Sequence, residues 1–384
     1  MDERLFGKHI NTMKLIIDNS NLFAGGGIQV AISFLKDLKF LELSHEYYII
    51  QSPNMEKAIH NIDFPENFHF YHLSKNTISA KRERIREVIN IENKINPDCI
   101  FTVFGPSYHK SNYPKLVGFA IGHIIYPDSP FFKKLSIKEK IYNKVLCHIK
   151  TFCFNKNSDA LVFETKDAAT LYKQNKSFKK PIYVANNTLN EIFHAPKEWE
   201  KFPEDLTSPC TILCVTVNYA HKNLSIIPHV IDNLINKYKL NNFQFVLTLD
   251  RKELEISEYH RKYIKFIGRV AIHQLPDIYS QSNIVFIPTL LEIFSATYLE
   301  AMFMKKPIIA SDLGFAKDIC HESAYFCEAT NPEAYADAIY KLYTKPEISL
   351  DLVQKGETNL KRFGTSMDRT RKYLNIIEEI SMKT

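Results

Sequence analysis

The sequence predicts an α/β protein made of two parallel-sheet domains that face each other across a cleft. Short apolar runs rich in Ile, Val, Phe and Tyr alternate with amphipathic segments along most of the 384 residues. The alternation occurs in two series, and a polar stretch with three prolines, 186–209, separates them. Strands buried on both faces and joined by helices are typical of parallel sheets, so each series predicts one domain.

The first series predicts an N-terminal domain at 13–186. Its helical pattern at 28–40 follows the first strand. The predicted strands are Met13–Asp18, Tyr47–Gln51, Phe68–Leu73, Cys99–Phe104, Lys115–Ile121 and Asp159–Phe163.

The second series predicts a C-terminal domain at 187–365, followed by a last helical segment, 366–384, with no strand after it. Helical patterns occur at 274–280, 296–304 and 332–343. The predicted strands are Thr211–Val217, Phe243–Leu249, Tyr263–Ile267, Ile284–Ile287, Pro307–Ala310 and Ala324–Cys327.

Composition limits the class of protein. A net charge of +6 fits an anionic partner without requiring one. Seven cysteines without CxxC or zinc-ligand spacing indicate a reduced, cytoplasmic chain. There is no run of 18 apolar residues and the N-terminus is polar, so we expect neither a membrane span nor a secretory signal. The lysines accompany no nucleic-acid-reading motif, so we expect no nucleic-acid partner.

Ligands of open α/β sheets bind beyond the carboxyl ends of the strands, and three such places carry candidate residues. The first is "NLFAGGGIQ", where Gly26 and Gly27 open a helix and could let backbone N–H groups approach a phosphate or a sugar. A flexible strand-to-helix turn explains it equally well. The second is Lys222 in "VTVNYAHKNLSII", which is either a phosphate ligand or a solvated lysine at a helix start.

The third place is "LLEIFSATYLEAMFMKKPIIAS". Glu292 lies in the loop after a strand, and Glu300 lies one turn inside the next helix. The free N–H groups of the helix N-terminus, near 294–296, could hold a diphosphate, and a carboxylate can accept both hydrogen bonds of a vicinal diol. Two acids at this spacing also arise by chance, as an N-terminal helix acid and a half-exposed helix residue.

This stretch resembles the signature of the retaining glycosyltransferases of family 4, which have the GT-B fold of two Rossmann-like domains. The resemblance rests on Pro288, the Glu-x7-Glu pair, "LEAM" and the strand that ends in "AS". It extends upstream to "FIGRVAIHQLPDIYSQSNIVFIPT" and to "PIYVANNTLNEIF", and Gly25–Gly27 fit the family's N-terminal loop. It covers most of the chain and is strongest at 264–314. It also implies that segment 366–384 returns to the N-terminal domain.

The resemblance implies a hexosyl transfer with retention at the anomeric carbon, from a nucleotide-diphosphate sugar to a glycan or lipid-linked acceptor. The pathway implied is surface polysaccharide synthesis, such as O-antigen, lipopolysaccharide or capsule. The implied catalytic residues are His123, in "GFAIGH", and Glu292, which faces the transferred sugar. The implied donor-binding residues are Gly26, Gly27, Lys222, Gly268, Arg269, Ile293, Phe294, Ser295, Ala296 and Glu300.

The chain departs from the family pattern at two positions. Asn218 and Tyr219 stand where the family often has Gly-Arg, so one phosphate cation is missing unless Arg269 replaces it. Ser295 replaces a usual glycine, which makes the backbone there less free. The sequence contains no Asp-x-Asp, in agreement with the family's usual metal independence, so we expect neither a metal nor another cofactor.

Two functions from different classes remain open. One is a nucleotide-sugar-dependent glycosyltransferase; the other is a GT-B-fold binding or scaffold subunit that has lost turnover. A glycosidase with two carboxylates is rejected, because Glu300 lies in the body of a helix and the chain resembles no hydrolase.

A basic segment at 131–156, "FFKKLSIKEKIYNKVLCHIKTFCFNK", interleaves seven lysines with Phe, Leu, Ile and Tyr. This pattern is typical of a helix on an anionic membrane surface. A helix packed on the sheet of its own domain explains it equally well. The first interpretation places the protein peripherally on the inner face of the cell membrane.

Overall fold

The computed structural model describes residues 12–23, 25–60, 62–73 and 80–382. Their strands form two parallel sheets, of seven and six strands. The strands of the first sheet are β1 (Lys14–Asn19), β2 (Glu46–Gln51), β3 (Phe68–His72), β4 (Cys99–Thr102), β5 (Lys115–Phe119), β6 (Ala160–Phe163) and β7 (Ile182–Val184). Those of the second are β8 (Thr211–Cys214), β9 (Gln244–Leu247), β10 (Ile264–Phe266), β11 (Ile284–Ile287), β12 (Ile308–Ser311) and β13 (Ala324–Cys327).

Helices connect the strands of both sheets. Those before β8 are α1 (Gly26–Leu41), α2 (Pro53–Ile59), α3 (Lys81–Ile95), α4 (Gly122–Ile125), α5 (Ile137–Asn157) and α6 (Lys166–Asn175). Those after β8 are α7 (Ile227–Asn236), α8 (Glu258–Arg261), α9 (Leu275–Ser280), α10 (Ala296–Phe303), α11 (Gly314–Cys320), α12 (Pro332–Thr344), α13 (Pro346–Leu360) and α14 (Ser366–Ser381).

The strand orders are β3-β2-β1-β4-β5-β6-β7 and β10-β9-β8-β11-β12-β13. In each sheet the order reverses beside its first strand, between β1 and β4 and between β8 and β11. Loops diverge at such a switch point and leave a crevice at the carboxyl ends of the strands. The fold therefore places one crevice in each domain.

The predicted fold class, two parallel-sheet domains, is confirmed. Several strands end earlier than predicted, because the apolar runs continue into the loops that follow; β4 ends at Thr102 and β8 at Cys214. β7 was not predicted, since three half-buried residues carry no periodicity. The domain limits of 13–186, 187–365 and 366–384 stay predictions, and residues 383–384 lie outside the described part of the chain.

The C-terminal helix α14 packs on the N-terminal sheet. The buried side chains of Tyr373, Leu374 and Ile377 belong to the same apolar core as those of Phe34 and Phe101. The Tyr373 ring lies 5.0 Å from the Phe101 ring and 5.6 Å from the Phe34 ring, measured between centroids. The chain thus crosses between the two sheets twice.

Polar contacts fix the start of α14. The Thr365 side chain accepts a hydrogen bond from the Asp368 N–H, and the Asp368 carboxylate accepts one from the Thr365 N–H, which is a capping box. The hydroxyls of Ser366 and Thr370 both donate to the buried carboxylate of Asp37 on α1, at 3.1 and 2.7 Å. Burial raises the pKa of Asp37.

Candidate functional site

The switch points of the two sheets position most of the predicted site residues. Gly26 and Gly27 follow β1, and His123 follows β5 in the N-terminal domain. Lys222 follows β8, and Glu292 follows β11 in the C-terminal domain. These residues all follow the carboxyl ends of parallel strands, which is the location that the sequence predicted.

A cleft of about 510 Å³ lies between the domains. Both domains line it, and so do the connecting stretch 187–191 and one residue of α14. The predicted site residues among its lining are Gly26, Gly27, Glu292, Ile293, Phe294, Ala296 and Glu300.

Lys222 and Glu292 form an ion pair at the mouth of the second crevice. The Lys222 Nζ lies 2.5 Å from the Glu292 Oε2, and the two side chains are 18% and 22% exposed. Lys222 ends a short 3₁₀ turn, Ala220–Lys222, and the next residue, Asn223, adopts a left-handed conformation with φ 59°. The buried Asn223 side chain donates to the Ala329 carbonyl at 3.1 Å, which anchors the turn that carries Lys222.

Glu300 is a buried acid on the first turns of α10. It is 8% exposed, and its Oε2 accepts a 2.7 Å hydrogen bond from the Tyr279 hydroxyl. Burial raises the pKa of Glu300 to about 7, which the Tyr279 hydrogen bond partly offsets. Glu300 thus lines the cleft with a carboxyl that changes charge near neutral pH.

Two histidines lie close to the ion pair. The His123 ring contacts the rings of Phe131 and Phe132 edge-on, at centroid distances of 5.4 and 5.9 Å. Burial, and then the charge of Lys150, lower the pKa of His123. Burial lowers the pKa of His221 to about 4, although the nearby Glu292 carboxylate opposes this shift. Both imidazoles are therefore neutral at neutral pH, and Lys222 is the basic partner of Glu292.

The N-terminal and C-terminal domains touch beside this cluster. A Cβ at Gly122 would lie 3.2 Å from the Leu291 Cγ, so the α4 backbone sits directly against the loop that carries Glu292. The Ser129 hydroxyl donates to the Leu290 carbonyl at 2.5 Å, and Lys134 donates to the Asn223 side chain. These contacts bring His123 of one domain to the Lys222–Glu292 pair of the other.

Gly268 and Arg269 are placed differently from the other predicted residues. Arg269 pairs with Glu253 at 2.7 Å, and its side chain is 60% exposed. Gly268 has a φ of 70°, which favours glycine at this turn. The structure therefore pairs the arginine with a surface acid, and the hypothesis that Arg269 replaces the missing phosphate cation gains no support.

Ser295 does not strain the loop before α10. Its φ of −132° and ψ of 122° are extended backbone that any residue adopts. The concern that a serine restricts the backbone at this position is therefore not supported by its geometry. The N–H groups at the start of α10 remain available to a ligand anion.

Sequence reasoning missed four charged residues that line the cleft, Lys36, Glu164, Glu191 and Arg369. Glu164 is 7% exposed, and burial raises its pKa to about 8 in spite of the opposing charge of Arg369. Arg369 donates to the Asn187 side chain at 2.5 Å and to the Ser33 hydroxyl at 2.8 Å. Glu164 directly follows a strand and could have been found by the carboxyl-end rule. Arg369 lies on a helix beyond both strand series and carried no such signal.

The arrangement combines Lys222, the N-terminus of α10 and several carboxyl groups around a cleft that Lys36 and Arg369 also line. The basic side chains and the helix N-terminus suit a bound anion, and the carboxyl groups suit hydroxyls. Within the described residues, no cluster of three or more His, Cys, Asp or Glu side chains is placed to hold a metal ion.

Solved structures with the same fold are glycosyltransferases of the GT-B type. Sucrose-phosphate synthase from Thermosynechococcus elongatus superposes with a TM-score of 0.70 at 13% identity, covering 97% of this chain and all of that one. The Anabaena protein HepE, solved with UDP and glucose, superposes with a TM-score of 0.68 at 11% identity. The match covers 96% of this chain and 100% of HepE. WaaG, a glycosyltransferase involved in lipopolysaccharide biosynthesis, superposes with a TM-score of 0.68 at 12% identity. The match covers 95% of this chain and 99% of WaaG. The chain thus has the GT-B fold.

The match to a family model covers only part of the chain. Residues 209–345, which contain Lys222, Glu292 and Glu300, match the family model described as Glycosyl transferases group 1. No curated protein matches the chain. The match therefore supports a glycosyltransferase assignment for the C-terminal domain, in the region where the sequence resemblance is strongest.

Proposed function

We propose that the protein is a retaining glycosyltransferase of family 4 that moves a hexosyl group from a nucleotide-diphosphate sugar to a glycan or lipid-linked acceptor. The observation that carries the proposal is the cleft itself. It joins the switch points of two domains and brings a lysine, a helix N-terminus and two acids to one place. The matched family region and the GT-B neighbours support the same reaction class.

In this proposal the C-terminal domain binds the donor. The Glu300 carboxylate accepts hydrogen bonds from the ribose diol, and the N–H groups at 293–296 hold the diphosphate. Lys222 leaves its pairing with Glu292 to contact the phosphates, and Glu292 then accepts from hydroxyls of the transferred sugar. Both ends of the existing ion pair are thereby replaced by ligand contacts, so neither charge is left unpaired.

The reaction breaks the bond between the anomeric carbon and the diphosphate oxygen and forms a bond from the same carbon to an acceptor hydroxyl oxygen. The acceptor proton passes to the leaving phosphate oxygen. Lys222 and the positive end of α10 stabilise the negative charge that develops on the diphosphate, without a metal. His123, as a neutral imidazole, contacts the donor sugar near the reacting carbon.

The biological setting that we propose is the synthesis of a surface polysaccharide. The support is indirect, since WaaG, one of the structural neighbours, acts in lipopolysaccharide biosynthesis. Gly26 and Gly27 line the N-terminal side of the cleft, where the acceptor or the donor phosphate would approach.

The alternative is a binding or scaffold subunit that has lost turnover, and the lack of a second cation beside Lys222 in the loop after β8 favours it. Asn218 and Tyr219 occupy the positions of the family's Gly-Arg, Arg269 is paired with Glu253, and His221 is neutral. Lys222 would then meet the phosphates without the neighbouring arginine of the family pattern.

The test is a thermal-shift and hydrolysis screen with UDP-, GDP-, ADP- and CMP-sugars. We expect one nucleotide class to raise the melting temperature, and Glu300→Gln and Lys222→Met to lose that shift. Glu333→Gln is the matched control, since Glu333 pairs with Lys237 on the surface. The proton NMR spectrum of the released or transferred sugar then reports the anomeric configuration.

The outcomes separate the two functions. A shift with turnover and a retained configuration supports the proposal. A shift without turnover, with any acceptor offered, supports the scaffold subunit. The absence of a shift with all four classes contradicts both the donor site and the roles given to Glu300 and Lys222.

A further inference from the structure

Helix α5 presents a stripe of large apolar side chains to solvent. They recur at steps of three, four or one residues, which places them on one side of the helix. Their exposed fractions are Ile137 77%, Ile141 60%, Tyr142 67%, Val145 53%, Ile149 50% and Phe152 62%. We call these six residues the α5 stripe. An exposed apolar surface of this kind marks a site of interaction.

The opposite side of α5 fixes the helix to its domain. Phe154 is fully buried and packs on Phe119 of β5 with ring centroids 4.6 Å apart. The Asn155 side chain accepts from the Tyr172 hydroxyl at 2.8 Å and donates to the Lys176 carbonyl at 3.0 Å. The helix therefore packs on the sheet of its own domain, as one of the two interpretations of this segment has it, but it does so through other residues and leaves the α5 stripe exposed.

Lysines surround the stripe. Lys138, Lys140, Lys144 and Lys156 are all exposed, whereas the helix contains one acid, Glu139, whose carboxylate is engaged in the N-terminal capping box with Ser136. The Lys156 Nζ lies 5.4 Å from the centroid of the Phe152 ring. The exposed face of α5 is thus both apolar and cationic.

We propose that α5 lies on an anionic lipid bilayer, with the α5 stripe inserted among the acyl chains and the four lysines at the phosphate level. Lysine side chains are long enough to keep their charge in the headgroup region while their stems lie along apolar surface. An amphipathic helix with this composition binds by apolar burial and by attraction to anionic lipids together.

The charges favour a bilayer over a second copy of the chain. Lys138 and Lys156 are about five helical turns apart and therefore share the angular position of the stripe. Two copies packed stripe to stripe in antiparallel orientation would set Lys138 against Lys156 without an acid between them. Anionic headgroups neutralise the same lysines.

The stripe is physically linked to the cleft, and this link, which rests on the proposed function, indicates where the acceptor enters. The turn before α5, Pro130–Lys134, carries Phe131 and Phe132 against the His123 ring. Its Lys134 bonds to Asn223, next to Lys222. A helix lying on the bilayer would hold the mouth of the cleft beside the membrane surface, which suits an acceptor with a lipid anchor.

The experiment is co-sedimentation of the full chain with vesicles of phosphatidylcholine, with and without phosphatidylglycerol. The apolar variant is Ile141→Ser/Val145→Ser/Phe152→Ser, and the charge variant is Lys138→Gln/Lys140→Gln/Lys144→Gln. Leu350→Ser, on the exposed face of α13, is the matched control. We expect binding to the anionic vesicles that falls about tenfold or more in each α5 variant and stays unchanged in the control.

The nucleotide-sugar thermal shift of the same variants separates this inference from the proposed function. Loss of vesicle binding with an unchanged shift supports the membrane face. If the wild-type protein shows the nucleotide-sugar thermal shift but binds neither vesicle type, the membrane-binding role of α5 alone is overturned. If it binds vesicles but shows no thermal shift, only the donor site is overturned. A dimer that the apolar variant dissociates, without vesicle binding by the wild type, would assign the stripe to a second copy and overturn the inference.

Discussion

At the scale of single residues, three of the four acids that line the cleft lie in different electrostatic surroundings. Glu292 is paired with Lys222, Glu300 is buried with one hydroxyl donor, and Glu164 is buried near Arg369. Burial of a carboxyl group disfavours its charged form, and a paired cation restores it. Glu292 therefore suits contact with a sugar as one partner of an ion pair, whereas burial raises the pKa of Glu300 to about 7 and the pKa of Glu164 to about 8.

The titration of Glu300 predicts a pH dependence of donor binding. Its pKa is raised from 4.5 to about 7 in the free protein, and a ribose diol requires the ionised acceptor. Affinity for the donor should therefore rise about tenfold between about pH 6 and about pH 8. Isothermal calorimetry across this range measures it. In Glu300→Gln the affinity should be low and independent of pH, and a wild-type profile equally flat would contradict the assignment.

The same shift affects stability with a definite sign. The unfolded chain ionises Glu300 near its ordinary value of 4.5, whereas the folded protein keeps the proton to about pH 7. Because the folded state then binds more protons, this residue lowers the free energy of unfolding as pH rises through that window. His221 acts in the other direction: its lowered pKa makes stability fall as pH drops from 6.5 towards 4.

At the scale of elements, the glycines at the ends of strands have two distinct roles. A Cβ at Gly118, in β5, would lie 1.9 Å from the Val103 carbonyl oxygen, so a side chain there collides with the backbone that directly follows β4. A Cβ at Gly26, at the start of α1, would have no atom of the described residues within 4 Å. The first glycine serves the packing of the sheet, and the second leaves space that faces the cleft.

A pair of alanine substitutions separates these roles. Gly118→Ala should lower the free energy of unfolding by about 3 kcal/mol, because the sheet must open around the new methyl group. Gly26→Ala should leave the melting temperature unchanged and lower transfer activity about tenfold, because the methyl keeps a ligand from the backbone. Thermal denaturation and initial rates give both values. Full activity in Gly26→Ala would remove Gly26 from the site.

The sequence predicted the elements with strong periodicity and the residues that follow strands. The alternation of buried runs was enough for the strands β1 to β6 and β8 to β13. It was not enough for β7, or for the orientation of α5, because both faces of that helix carry apolar residues and tertiary packing decides which face is covered. The charge states of Glu300 and Glu164 depend on burial in the folded protein. Arg369 reaches the cleft because α14 returns to the N-terminal domain. The local sequence shows neither the burial nor this return.

At the scale of the whole molecule, α14 contributes side chains to the core of the N-terminal domain. Ile377→Ala should therefore destabilise the protein by about 2–5 kcal/mol, since Ile377 is fully buried. Denaturant unfolding followed by fluorescence measures the loss. Leu350→Ala is the control, because that side chain is 60% exposed and its removal should cost less than about 0.5 kcal/mol. Equal small losses in both variants would mean that α14 is not part of the core.

The return of α14 also sets the order in which the molecule can be completed during synthesis. A ribosome delivers the N-terminal strands first, but the side chains of Tyr373, Leu374 and Ile377 that close their core emerge after the whole C-terminal domain. The first domain translated is therefore the last to finish folding. Until then, part of the apolar core of the N-terminal sheet lacks the side chains that cover it.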